Sequence, residues 1–257
     1  MQTTIHTTTQ GQGPALVLIH GWGFHSGVWQ SLLPALTPHY RVTCIDLPGF
    51  GSSPLDKKNY SLAELTDAVL TAAPARAHWL GWSMGGLVAT AVARQAPTRV
   101  TSLLNVASNP SFLTRPDWIG MERQVLEGFA ASLASDYQAT LSRFLALQVH
   151  GSIGATTIVR SLKQQLKSWG EPQADALYYG LDILRYTDLR EALSQLTLPI
   201  LYLLGRLDAL VPVALSDQLL SLNPKINTAI IAAASHAPFL SHQEQFLKII
   251  NRFINEQ

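Results

Sequence analysis

The stretch His78-Trp79-Leu80-Gly81-Trp82-Ser83-Met84-Gly85-Gly86-Leu87-Val88-Ala89 governs the reading of this chain. Its centre, Gly81 to Gly85, fits G-x-S-x-G, a sharp turn that lifts a serine from the end of a strand into the start of a helix. An apolar run precedes the motif and an amphipathic run follows it, so the required strand–turn–helix context is present. A turn this tight leaves no room for bulk at its flanks, and glycines stand at 81 and 85. The serine then sits at a helix N-terminus, where backbone N–H groups and the dipole favour developing negative charge. The competing reading, a glycine-rich turn with an incidental serine, does not account for both flanks.

On either side of the motif, short apolar runs alternate with helical patterns. Strands are predicted over Ala15 to His20, Arg41 to Asp46, Ala77 to Gly81, Val100 to Ala107, Ile200 to Gly205 and Asn227 to Ile231. Thr3 to Thr9 reads as an antiparallel edge strand. Helices are predicted over Ser61 to Ala73, where Ser61 and Glu64 form a capping box, and over Gly85 to Gln95, Val213 to Leu222 and Gln243 to Asn255. This alternation predicts a mostly parallel sheet covered on both faces, the α/β class and, with the serine turn, an α/β-hydrolase fold. The rhythm breaks between about Ser111 and Leu198. Leu126, Phe129 and Leu133 recur at helical spacing there, as do Leu141, Phe144, Leu145 and Gln148. The expectation is a core of residues 1–110 and 199–257, with 111–198 inserted as a helical lid over the carboxyl ends of the strands, where open α/β sheets place their sites.

A serine hydroxyl is a weak nucleophile near neutral pH and needs a base and a group orienting that base. In this fold the order along the chain is Ser, then Asp or Glu, then His. Asp208 follows the strand ending at Gly205, and His236 follows the last strand, so both fall on the rim that carries Ser83. Ser83, Asp208 and His236 are therefore the predicted nucleophile, acid and base. Asp182 and Asp188, in the insertion, are rival acids. His242 is a rival base, read more simply as a solvated or capping residue. His20, His25, His39, His78 and His150 precede Asp208 and break the order. Two backbone N–H groups are needed for an oxyanion. Met84 supplies one, and Trp22, flanked by Gly21 and Gly23, is predicted to supply the other. The loop Asp46 to Ser53 fits no phosphate-binding pattern and reads as structural.

Bulk properties narrow the class. The chain has 257 residues, 47% apolar, with a formal charge of +1, which lacks the basic footprint of a nucleic-acid binder. Its one cysteine, Cys44, permits no intramolecular disulfide and fits a reducing compartment. Met1 to Gln12 does not read as a secretory signal, and no apolar run reaches the roughly 18 residues needed to span a bilayer. A cytoplasmic monomer without membrane or nucleic-acid contact is expected. No His-x-x-x-His, His-Glu-x-x-His or nucleotide-binding spacing occurs, so neither metal nor cofactor is expected.

His20-Gly21-Trp22-Gly23, Asp46 to Gly51, Gly81 to Ala89, Arg143-Phe144-Leu145-Ala146-Leu147-Gln148 and His236-Ala237-Pro238-Phe239 together resemble one family, the pimeloyl-[acyl-carrier protein] methyl ester esterases of biotin synthesis. The resemblance runs over nearly the whole chain. Trp82 and the Arg143 to Gln148 segment are its more specific parts. It implies hydrolysis of the methyl ester of a pimeloyl chain carried on acyl-carrier protein, with release of methanol. It also implies substrate contacts at Trp22, Ser83, Met84, Phe144, Leu145, Ala146, Leu147, Gln148 and His236. Arg143 and Arg160 match the family's carrier-docking arginines, whereas Ala139 and Thr156 stand where close relatives carry arginine.

The residues themselves point the same way. From Tyr137 to Gly170 there are four basic residues, Arg143, Arg160, Lys163 and Lys167, and no acidic one. The last three would share a helix stripe and favour an acidic partner; a solvated helix face is the alternative. Two other functions remain open. A general short- or medium-acyl carboxylesterase, or a hydrolase of carbon–carbon bonds, would share the triad but need no basic docking face. A catalytically dead interaction module would normally have lost a triad member.

Overall fold

The computed structural model describes residues 4–55 and 60–257. Seven strands form one sheet in the order β1-β3-β2-β4-β5-β6-β7. They span Thr7–Gln10, Ala15–Ile19, Arg41–Ile45, Ala77–Trp82, Val100–Val106, Ile200–Gly205 and Ile226–Ile231. β1 pairs antiparallel with β3 and every other pairing is parallel. The predicted edge strand is thus present but shifted, at Thr7–Gln10, and its predicted start at Thr3 lies outside the described residues. β1 is half exposed, as an edge strand with one free side can be, whereas β4 and β6 are buried throughout.

The period of two along each strand divides the core. Val17, Ile19, Trp79 and Leu103 face one side, with Leu87, Val88 and Leu215 packed against them. Leu16, Leu18, Leu80 and Leu104 face the other, against Phe246, Ile250 and Phe253. The helices outside the insertion are α1 (Leu33–Leu36), α2 (Leu62–Ala72) and α3 (Met84–Gln95) before it, and α9 to α11 after it. These last three span Leu215–Leu222, Pro238–Ser241 and Gln243–Asn255. The Ser61 hydroxyl caps α2 by accepting from the Glu64 N–H at 3.3 Å.

Between β5 and β6 the chain forms α4 (Arg123–Ser135), α5 (Tyr137–Leu147), α6 (Ala155–Trp169) and α7 (Ala174–Tyr186), followed by α8 (Arg190–Gln195). Two isolated bridges, Leu113 with Met121 and Arg115 with Trp118, are the only strand-like pairs there among the described residues. The insertion shares both cores rather than making its own. Leu126 and Leu177 join the first, and Leu145 and Leu162 the second. No helix of the described residues is long and apolar enough to cross a membrane.

Candidate active site

β2 and β4 are neighbours, with Ile19 beside Gly81, so the loops that leave their carboxyl ends must meet. At the end of β4 the backbone turns through Ser83 with φ 54° and ψ −119°, a left-handed conformation that an L residue holds only where its surroundings enforce it. Those surroundings are visible. The Ser83 N–H donates to Val106 O at 2.9 Å, and its carbonyl accepts from the Gly86 N–H at 2.9 Å and the Ser108 hydroxyl at 2.8 Å. A Cβ at Gly81 would strike the Gly85 carbonyl, and one at Gly85 would lie 2.5 Å from the carbonyl oxygens of Ile19 and His20. Only glycine fits either position.

Asp208 follows β6 and His236 follows β7. His236 Nδ1–H donates to Asp208 Oδ2 at 2.8 Å, and Nε2 lies 2.9 Å from Ser83 Oγ. The other Asp208 oxygen accepts from the N–H groups of Leu210, at 2.8 Å, and Val211, at 3.0 Å. The carboxylate is therefore satisfied on both sides while its side chain is shut off from solvent. The rivals lie elsewhere. Asp182 pairs with Arg185, Asp188 pairs with Arg115 and Arg190, and His242 meets Ser241.

The loop after β2 is held from below by His20. This fully buried imidazole donates through Nδ1–H to Gly21 O at 2.8 Å and accepts at Nε2 from the Leu47 N–H at 3.0 Å, which specifies the neutral ring. Burial pulls its pKa down to about 4 against the opposing pull of Asp46. Burial would raise the Asp46 carboxyl, but His20 and the N–H groups of Ser26 and Ser52 outweigh it and hold its pKa below the usual value. The loop Asp46 to Ser53 is structural, as expected: its aspartate ties two loops together. Above His20, Trp22 anchors its indole in the insertion, donating to Leu177 O at 2.9 Å. Gly21 lets this loop come close, since a Cβ there would lie 3.2 Å from Ser83 Cβ. The backbone N–H groups of Trp22 and Met84 have no acceptor among the described residues.

A cavity of about 90 Å³ opens at Ser83. Trp22, Phe144 and Leu147 line it, together with residues the sequence reading did not name: Phe112, Met121 and Val125 ahead of or within α4, Leu181 and Leu184 on α7, and Leu210 beside Asp208. Leu126 and Phe129, read from sequence only as helical spacing in the insertion, line it too. Helical spacing in Leu181-x-x-Leu184 marked an apolar face, but nothing local said which space that face would border. Of the remaining substrate positions implied by resemblance, Met84 and His236 adjoin Ser83 without lining this cavity, and Leu145, Ala146 and Gln148 do not reach it. Leu145 packs into the second core because a helix turns it away from Phe144, and Ala146 is exposed. Gln148 is fully buried and donates to Phe144 O at 2.8 Å.

Arg143 on α5 and Arg160, Lys163 and Lys167 on α6 are all exposed, and none forms an ion pair among the described residues. α6 buries Leu162 and Leu166 on its opposite side. At its end Trp169 stacks on His25, with ring centres 5.4 Å apart. No cluster of side chains suited to a metal occurs among the described residues.

A serine, a histidine and an aspartate joined in this order at the carboxyl edge of a mostly parallel sheet define a hydrolase of the α/β class, and the sequence model of the Alpha/beta hydrolase family matches residues 16–249. A pimeloyl-[acyl-carrier protein] methyl ester esterase of Photobacterium profundum is 48% identical over 254 residues, covering 99% of this chain and 100% of that one. One from Aeromonas hydrophila subsp. hydrophila is 46% identical over 245 residues, 95% of this chain and 96% of that one. The chain belongs to the pimeloyl-[acyl-carrier protein] methyl ester esterases, a family of carboxylic ester hydrolases. Among solved structures, an esterase from Exiguobacterium antarcticum superposes with a TM-score of 0.90, covering 99% of this chain and 98% of that one. At 19% identity that likeness shows the fold alone.

Proposed function

We propose that this chain hydrolyses the methyl ester of a pimeloyl chain carried on acyl-carrier protein, through an acyl-enzyme on Ser83. The observation that carries the reading is the hydrogen-bonded series Asp208, His236, Ser83 opening on a cavity whose wall has Ser83 as its one polar residue among the described residues. Ser83 Oγ attacks the ester carbonyl carbon as its proton passes to His236 Nε2. The oxyanion that forms accepts from the Trp22 and Met84 N–H groups. The bond to the methoxy oxygen breaks, and that oxygen leaves as methanol with the proton from His236. Water then attacks the acyl-enzyme, again giving its proton to His236, which returns it to Ser83. The free carboxylic acid departs. Asp208 keeps the imidazole in the tautomer that accepts at Nε2 and stabilises the imidazolium.

Trp22, Phe144 and Leu147 would hold the methylene chain in the cavity, with α4 to α7 as the lid over the core of residues 1–110 and 199–257. Arg143, Arg160, Lys163 and Lys167 would face the acidic carrier protein and raise its encounter rate. A free, buried Cys44 suits the reducing cytoplasm. The test is methanol release from purified pimeloyl-carrier methyl ester, with the acid product followed by mass. Turnover by the wild type and none by Ser83→Ala is the expected result. Hydrolysis of small free esters with none of the carrier-bound ester would overturn the substrate assignment.

A further inference from the structure

His236 lies five residues beyond Ile231, the end of β7, where no ladder bond reaches it. Its backbone is instead held from other parts of the chain. The Ala237 N–H donates to Gln148 O at 2.8 Å, and the Ser235 N–H donates to the Ser152 hydroxyl at 3.1 Å. The bond to His236 itself comes from Trp82, whose indole N–H donates to the His236 carbonyl at 2.8 Å. Trp82 is fully buried, and its ring centre stands 5.8 Å from the imidazole and 5.0 Å from Phe239. It also directly precedes the nucleophile. One side chain therefore joins the strand that delivers Ser83 to the backbone that delivers His236. The elbow motif does not require this, since any residue satisfies its second position.

We infer that Trp82 is a positioning residue for the general base, an inference that rests on the reading of Ser83 and His236 as nucleophile and base. The 2.9 Å spacing between Nε2 and Ser83 Oγ depends on where the His236 backbone stands. A shift of about 1 Å at a reacting group costs on the order of 100-fold in rate. Without the indole N–H, the buried carbonyl has no donor and the loop must move to regain one. Packing around Trp82 is a separate matter, and the structure contains its control. Trp29 belongs to the same cluster, with its ring centre 6.4 Å from that of Trp82 and 4.5 Å from that of Phe239. It is equally buried, but its N–H has no partner among the described residues.

The experiment compares wild type, Trp82→Phe, Trp29→Phe and Ser83→Ala on p-nitrophenyl butyrate, with thermal unfolding of each. In a further protein, β-(3-benzothienyl)alanine replaces Trp82, which keeps the ring's shape and removes the N–H. The expected result is a kcat loss of about tenfold or more for both Trp82 proteins, with KM changed less than about twofold, as for misplacement of a reacting group. Labelling of Ser83 by a fluorophosphonate slows in parallel. Trp29→Phe keeps kcat near the wild-type value. Equal kcat losses in Trp82→Phe and Trp29→Phe, or normal kcat in the benzothienyl protein, would overturn the inference. The second readout holds even where Trp82→Phe fails to fold. An inactive wild type, or turnover by Ser83→Ala, would overturn the site assignment itself, an outcome distinct from the other two.

Discussion

Lengthening the acyl chain of a methyl ester probes the cavity above Ser83 one methylene at a time. Apart from Ser83 its lining is apolar, so each added methylene exchanges water for hydrocarbon. That transfer is worth about 0.8 kcal/mol per methylene, close to a fourfold gain in kcat/KM for each carbon. Five methylenes, the number in a pimeloyl chain, set an upper limit of about 4 kcal/mol, or roughly a thousandfold. The gain should stop where the chain emerges from the cavity. Phe144 tests the wall itself. Its ring stands 4.9 Å from that of Trp22 and 5.6 Å from that of Phe129, so Phe144→Ala opens the cavity beside both. The assay is methanol release from a series of free methyl esters, butyrate to decanoate, by wild type and Phe144→Ala. The expected outcome is a stepwise rise in the wild type and a clearly shallower one in the variant, with similar values for the shortest ester. Removing a partly buried phenylalanine also costs stability, on the order of 3 kcal/mol, so thermal unfolding must show the variant folded. A flat wild-type series, or the same slope in both proteins, would refute the assignment of this cavity to the acyl chain.

His236→Ala should lose turnover almost as completely as Ser83→Ala, and the double variant should be no worse, because the pair acts as one unit; single-turnover rates check this, and an active His236→Ala would exclude it as the base. Acid should destabilise the fold through His20. Its folded pKa of about 4 lies below the ordinary 6.5, so the unfolded chain takes up the proton first and stability falls as pH drops through that window, levelling near pH 4. The loss is on the order of 3 kcal/mol, and the lowered pKa of Asp46 adds to it at still lower pH. Urea unfolding of wild type and His20→Gln between pH 7 and 4 measures it, and identical slopes for the two proteins would show that His20 is not responsible. Arg143→Glu combined with Arg160→Glu should raise KM for the carrier-bound ester while a small free ester is hydrolysed normally. Added salt should imitate the effect, since exposed charges are screened over about 8 Å at physiological ionic strength; equal losses on both substrates would mean that the arginines hold the insertion together.

Much of this is legible along the chain because it is local. A strand, a glycine-flanked serine and a helix follow one another within a dozen residues, and the steric demand on Gly81 arises inside that turn, whereas that on Gly85 comes from the Ile19 and His20 carbonyls at the end of the neighbouring strand. Parallel strands buried on both faces announce themselves as apolar runs, so the core strands can be read within a residue or two of their ends. The edge strand is harder to place because Thr7–Gln10 is held by β3 and not by its own pattern. Asp208 and His236 can be chosen by order and by position after strands, but their meeting depends on β6 and β7 lying side by side. The cavity is less legible. Phe144 and Leu147 share a helical face with spacing that sequence records, but Phe112, Leu184 and Leu210 come from three separate segments, and only the folded chain brings them to one wall. Trp82 shows the same division most clearly. The chain places a tryptophan before Ser83; that its N–H meets the carbonyl of a residue 154 positions away is decided by packing across the sheet. Sequence determines what each residue can offer and what its near neighbours allow. Distance between remote segments is set by which faces the cores bury together, and the tertiary structure alone decides that.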